Sequence, residues 1–116
     1  MTGYVQNNII AVRQGDSFAI NFDLKDKCAP VDLTGATILM QVRDDSGNLM
    51  FSVSGTPVDA VNGKMAILLT PTQTGIDVGD YNTDIQVTLQ DGSVNTIFPS
   101  NVNQIGVFRV TEQVTK

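Results

Sequence analysis

Apolar and polar residues alternate along most of this chain. In Ser17–Lys25, Phe18, Ile20, Phe22 and Leu24 fall on one face, and Asn21, Asp23 and Lys25 on the other. In Thr37–Arg43, Ile38, Met40 and Val42 oppose Thr37, Gln41 and Arg43. Tyr81, Thr83, Ile85, Val87 and Leu89 alternate with Asn82, Asp84, Gln86, Thr88 and Gln90. A period of two with one wet face predicts antiparallel strands that cover a core on one side only. Ile9–Val12, Leu49–Val53, Lys64–Leu69, Val94–Phe98 and Gly106–Val110 are shorter candidates, giving about seven or eight strands. No segment repeats apolar residues at helical spacing for long enough to build a core helix.

The punctuation agrees. Asp44-Asp45-Ser46-Gly47-Asn48, Ala60-Val61-Asn62-Gly63 and Gln90-Asp91-Gly92-Ser93 each separate two alternating runs. Gly supplies positive φ, and Asn or Asp tolerates it, as tight hairpins require. Parallel strands would need intervening helices, which the pattern lacks. The predicted fold class is therefore all-β, an antiparallel sandwich or small barrel. Residues 1–8 read as an N-terminal arm and residues 9–116 as the sandwich domain. Phe18, Phe22, Met40, Ile67, Tyr81 and Ile85 are the expected core.

Thr70–Tyr81 joins an apolar strand to a long alternating one, and its end, Asp77-x-Gly79-x-Tyr81, has the spacing of a tyrosine corner. In that motif a Tyr at the start of a strand packs its ring inward and donates its hydroxyl to a backbone group a few residues upstream. Thr83 stands where immunoglobulin domains carry a cysteine. Pro71–Gly75 reads as a short turn crossing between the sheets.

Charge narrows the partners. Twelve acids against seven bases give a formal charge of −5, and the bases form no stripe that could neutralise phosphates. Nucleic acid is not an expected partner. The single cysteine, Cys28, excludes an intrachain disulfide and reads as a turn residue. Residues 1–8 have no signal-peptide pattern, and no apolar run has the length of a membrane helix, so a soluble protein made in the cytoplasm is expected, with no membrane partner.

Catalytic chemistry has little to work with. The chain has no histidine, hence no Ser-His-Asp or Cys-His pair, and its glycines stand singly in turns rather than in a phosphate loop. Asp44 and Asp45 lie in a hairpin turn. Asp77, Asp80 and Asp84 bracket the tyrosine corner and read as solvated. Asp44-x-Ser46-x-Asn48 has the oxygen spacing of a calcium-loop start, but Gly47 comes one residue late and Gly55 stands where the bidentate acid belongs. No catalytic residue, cofactor or metal is therefore assigned, and an inter-loop calcium ion is the one metal to look for. Leu39 and Leu68 fall on the wet phase of their strands, while Phe51 sits in a strand of ambiguous phase. These three are the candidate partner surface.

Several motifs resemble a known family. Arg13-x-Gly15-Asp16-Ser17-Phe18 leads into one strand, and Asp32-Leu33-Thr34-Gly35-Ala36-Thr37 into another. Leu68-Leu69-Thr70-Pro71-x-x-Thr74, Gly79-Asp80-Tyr81-x-x-Asp84-Ile85-Gln86, Asp91-Gly92 and a closing Phe108-x-Val110 follow in order. Together these resemble the immunoglobulin-like N-terminal domain of phage baseplate upper proteins and related tail proteins. The resemblance implies an antiparallel immunoglobulin-like β-sandwich of about seven or eight strands, and a non-enzymatic virion component that docks other phage structural proteins in multiple copies or as a homo-oligomer. Tyr81, Gly79 and Asp77 of the corner and Gly35 of the turn before Thr37 are the expected structural residues. Proteins of that family continue into a helical or fibrous region, whereas this sequence stops at Lys116. The expected roles are those of a tail, baseplate or adaptor subunit. A capsid decoration protein and a carbohydrate- or cell-surface-binding module are the alternatives.

Overall fold

The computed structural model describes residues 4–26, 29–99 and 103–112. Its strands are β1 (Tyr4–Gln6), β2 (Ile9–Arg13), β3 (Phe18–Asp23), β4 (Lys25–Asp26), β5 (Ala29–Pro30), β6 (Thr37–Arg43), β7 (Leu49–Ser54), β8 (Thr56–Asp59), β9 (Lys64–Leu69), β10 (Gly79–Thr88), β11 (Val94–Phe98) and β12 (Gly106–Thr111). A single α-turn, α1, covers Pro71–Thr74.

Two sheets face each other. The wide one runs β1-β2-β12-β10-β6-β7, with β11 also paired to β10. The narrow one runs β3-β9-β8. β10 organises the wide sheet: its first half pairs with β12, its second half with β11, and β6 lies along its other side. All these pairings are antiparallel except β2 with β12, which run parallel from Ile9↔Val107 to Arg13↔Thr111. The result is the expected all-β sandwich.

Inward residues of the two sheets make one core. Ile10, Val12, Ile38, Met40, Val42, Ile85, Val87, Phe108 and Val110 from the wide sheet meet Phe18, Ile20, Met65, Ile67 and Leu69 from the narrow one. Alternation holds well in β6 and β9, where every second residue is buried. Of the expected core, Phe18, Met40, Ile67 and Ile85 are fully buried, whereas Phe22 and Tyr81 pack against the core while half-exposed.

The chain passes between the sheets at two instructive places. β7 and β8 are nearly one strand, bent at Gly55 from the wide sheet into the narrow one. Gly55 donates its N–H to the Ile38 carbonyl at 2.9 Å. A Cβ there would stand 2.6 Å from Ile38 Cγ2 and 3.0 Å from Ile67 Cγ1, so the backbone occupies space that any side chain would need. The second crossing, from β9 to β10, uses α1 and the tyrosine corner.

Four of the twelve strands, β1, β4, β5 and β8, were not among the eight candidate segments. Tyr4–Gln6 falls within the residues read as an arm, yet it turns back at Asn7 (φ 53°) and pairs antiparallel with β2. β4 and β5 form a two-residue ladder, and β8 carries Pro57 and an irregular register against β9. Cys28 lies outside the described residues.

Candidate docking surface

The two turn motifs are built from short polar side chains that satisfy the backbone. Asp32 accepts both the Thr34 N–H (2.9 Å) and the Thr34 hydroxyl (2.6 Å). This Asx turn drives Leu33 into the core, where it is wholly buried. Gly35 follows at φ 74°, a left-handed conformation that favours glycine, and returns the chain into β6. At the other motif, the Tyr81 hydroxyl donates to the Asp77 carbonyl at 2.6 Å, so Asp77-x-Gly79-x-Tyr81 forms a tyrosine corner. Burial raises the Tyr81 phenol above its ordinary pKa, and the charges of Asp77 and Asp44 add to this. Thr83 is buried and donates its hydroxyl to the Gln41 carbonyl at 2.8 Å.

α1 is held by a capping box: the Gln73 N–H donates to Thr70 Oγ1, and Gln73 Oε1 accepts the Thr70 N–H. Thr74, fully buried, donates its hydroxyl to the Asp16 carbonyl at 2.7 Å and so ties the crossing to the loop before β3.

Leu39 and Leu68 lie where their strand phases put them, on the outer faces. Leu39 is on the wide sheet between Ser54 and Gln86, and Leu68 is on the narrow sheet opposite Ala19. They are 36% and 67% exposed. The two therefore belong to opposite sides of the sandwich and form no common patch. Phe51 belongs to neither side. It faces inward and meets Phe108 edge-on, with ring centroids 5.7 Å apart. Its ambiguous phase has a cause: Val42 pairs with Phe51 and Arg43 with Leu49, leaving Met50 as an extra residue that breaks the alternation.

Several acidic groups are engaged in local structure. Asp44 accepts the Asn48 N–H, the Asn48 side-chain amide and the Ser46 N–H, chiefly the first, and these bonds hold its carboxyl below the usual range. Its oxygens thus serve the hairpin turn. Asp80 is held low mainly by hydrogen bonds from Arg109 (2.8 and 3.2 Å), an ion pair across β10 and β12. Asp77 precedes β10, while Asp80 and Asp84 lie along it. Among the described residues no three acidic or cysteine side chains cluster as metal ligands would.

An open cleft of about 480 Å³ lies where β11 and β12 diverge from their shared neighbour β10. Gln41, Arg43, Asn82, Asp84, Thr96 and Gln104 supply its polar lining. No aromatic side chain lines it, and no described aromatic side chain is exposed. The cleft thus lacks the flat apolar platform on which sugars stack. Among the described residues no helix is long and apolar enough to cross a membrane.

Two sheets of this topology, closed by a tyrosine corner, define an immunoglobulin-like sandwich domain. The BppU N-terminal domain family, that of phage baseplate upper proteins, matches residues 2–103, and the chain belongs to it. It is a bacteriophage baseplate structural domain and hence a virion component. The match ends before β12, the strand that joins β2 to β10. None of the curated proteins matches the chain. Among solved structures, the chain is similar to that titled "The crystal structure of CopC from Methylosinus trichosporium OB3b". Identity is 14%, coverage is 91% of this chain and 86% of that one, and the TM-score is 0.48.

Proposed function

We propose that this chain is a non-enzymatic structural subunit of the tail, baseplate or adaptor region of a tailed phage, acting by docking onto other virion proteins. Family membership over residues 2–103 is the observation that carries the reading. The chemistry of the surface supports it. The net charge of −5 disfavours phosphate-bearing partners, and the carboxylates of Asp32, Asp44 and Asp91 are occupied with backbone and neighbouring side chains. Synthesis in the host cytoplasm, followed by assembly on a symmetric scaffold, lets each copy bury a modest patch and gain strength by repetition.

The copy number in purified particles tests this reading. A stoichiometry that follows the ring symmetry of the tail is expected. A stoichiometry that follows the capsomers would instead assign the chain to decoration of the head. Leu39→Asp and Leu68→Asp refine the test, because the two positions lie on opposite outer faces and are exposed. One substitution is expected to abolish incorporation and the other to leave it intact, with the unfolding midpoint little changed in both. Incorporation at wild-type levels for both would remove the outer faces from consideration.

A further inference from the structure

Asn62-Gly63 and Asp91-Gly92 are the two places in the chain where asparagine or aspartate precedes glycine. At such a pair the glycine nitrogen, unshielded by a side chain, can reach the acyl carbon of its neighbour and close a cyclic imide. Both pairs sit in turns of this fold, but their chemistry differs. The Asp91 carboxyl accepts the Ser93 hydroxyl (2.7 Å) and the Ser93 N–H (2.9 Å), which hold it below the usual range. It is a carboxylate at neutral pH, and a carboxylate has no good leaving group. Asn62 keeps a neutral amide, with ammonia to lose, and is exposed.

The turn around Asn62 is pinned from several directions. Ala60–Asn62 form a 3₁₀ turn between β8 and β9. The Ala60 carbonyl accepts two N–H groups, that of Gly63 at 3.1 Å and that of the buried Leu33 at 2.8 Å. The Gly63 carbonyl accepts the Leu24 N–H at 2.8 Å. Gly63 stands at φ 73°, and a Cβ there would lie 2.4 Å from the Leu24 carbonyl oxygen and 2.9 Å from that of Val31. Angle and crowding both demand glycine. The Asn62 amide nitrogen, in turn, donates to Asp59 Oδ2 at 2.9 Å. That bond ties the side chain to a residue before the turn, while the hydrogen on the following peptide nitrogen is already given to Ala60. Each of the two reacting groups is thus committed elsewhere.

We propose that Asn62 is a deamidation site whose gate is this turn, closed while the turn is intact and open when it melts. In the open chain the Gly63 nitrogen bonds to Asn62 Cγ, the Cγ–Nδ2 bond breaks, and the Gly63 proton leaves with Nδ2 as ammonia. Solvent water then opens the imide at either carbonyl. One product is aspartate, which sets a second carboxylate beside Asp59 where a donor stood. The other is isoaspartate, whose backbone runs through Cβ and so gains an atom between Ala60 and Gly63. Neither product restores the turn. The glycine that the fold requires is what makes the opened chain reactive, and an opening that lasts long enough leaves a mark that disfavours return.

The isolated chain suffices for the test, which is independent of the virion reading. After ageing at neutral pH, peptide mass spectrometry is expected to show Asn62 converting at least about tenfold more slowly in the folded chain than in urea. Asp59→Ala frees the side-chain amide and should raise the folded-state rate severalfold, with the rate in urea unchanged. Asp59→Asn keeps an acceptor oxygen and should stay near wild type. Tyr81→Phe lowers stability at a distance and should leave the folded-state rate as it is, because the gate is local. Wild-type chains aged in urea should refold with a lowered unfolding midpoint, and Asn62→Gln chains aged alike should not. Equal rates for folded and urea-treated wild type would overturn the proposal. So would a folded Asp59→Ala chain no faster than wild type, or conversion that leaves the refolded midpoint unchanged. Acceleration by Tyr81→Phe as great as by Asp59→Ala would also overturn it, by moving the gate to global unfolding. If Asp59→Ala fails to fold, the wild-type comparison and the aged Asn62→Gln chains decide alone.

Discussion

The chain crosses between its two sheets by opposite means at Gly55 and at Thr70–Tyr81. At Gly55 the crossing is made by omission: the strand bends into the narrow sheet because nothing projects from the backbone against Ile38 and Ile67. From Thr70 to Tyr81 it is made by addition. A capping box, the Thr74–Asp16 bond and the Tyr81–Asp77 bond fix a one-turn helix and the start of β10. The first crossing depends on shape, and any side chain at Gly55 must displace Ile38 or Ile67. The second is spread over several hydrogen bonds, and the loss of any one leaves the others standing.

This contrast orders the expected effects. Gly55→Ala should be the most damaging change, costing about 3 kcal/mol, since overpacking of this kind forces neighbours off their rotamers. Combined with Ile38→Ala, it should cost less than the sum of the two single changes, because the second makes room for the first. Strict additivity in urea unfolding would show that the clash is absorbed elsewhere. Thr74→Val, nearly isosteric, removes a buried hydroxyl from the Asp16 carbonyl and should cost about 1–2 kcal/mol. Tyr81→Phe should cost about 1 kcal/mol, the net worth of one neutral hydrogen bond; an unchanged unfolding midpoint would argue that the corner is incidental.

The smallest expected difference is in pH dependence. The Tyr81 phenol titrates above its ordinary value in the folded state, so its stabilising contribution is complete below that ordinary value, near 10, and is lost as pH rises through the folded one. Thermal melts of Tyr81→Phe and wild type should therefore converge in alkali, whereas the deficit of Gly55→Ala should stay constant. At the acid end the sign reverses. Asp80 and Asp44 titrate low, so their contribution is present above the ordinary carboxylate range, about pH 4, and is lost as pH falls through their folded values. Asp44→Asn should blunt that acid loss.

The same contrast explains what the sequence made legible. The tyrosine corner is local: three residues at fixed spacing carry donor, acceptor and turn, so Asp77-x-Gly79-x-Tyr81 could be read directly. The Asx turn of Asp32 and Thr34 is local as well. β3, β6 and β10 were legible because burial on one face imposes period two, whereas β2, buried at Ile10, Ala11 and Val12 alike, was legible as a short apolar run. Gly55 was not, since its role is set by Ile38 and Ile67, residues distant in sequence. β8 was hidden by Pro57 and Asp59, and β1 by its three-residue length. Phase alone turns Leu39 and Leu68 outward, where they lie, while the extra residue at Met50 hides the inward direction of Phe51. Which surface faces a partner is not written in periodicity, because a wet face and a docking face obey the same alternation.

The parallel pairing of β2 with β12 sets a timetable for biogenesis. Asn8 reaches Ile105 across a sequence separation of 97 residues. A ribosome that has delivered Ile9–Arg13 must translate residues 14–105 before their neighbour, Gly106–Thr111, exists. The opening hairpin is thus made first and seated last, and a nascent chain stalled short of β12 would leave it without a berth.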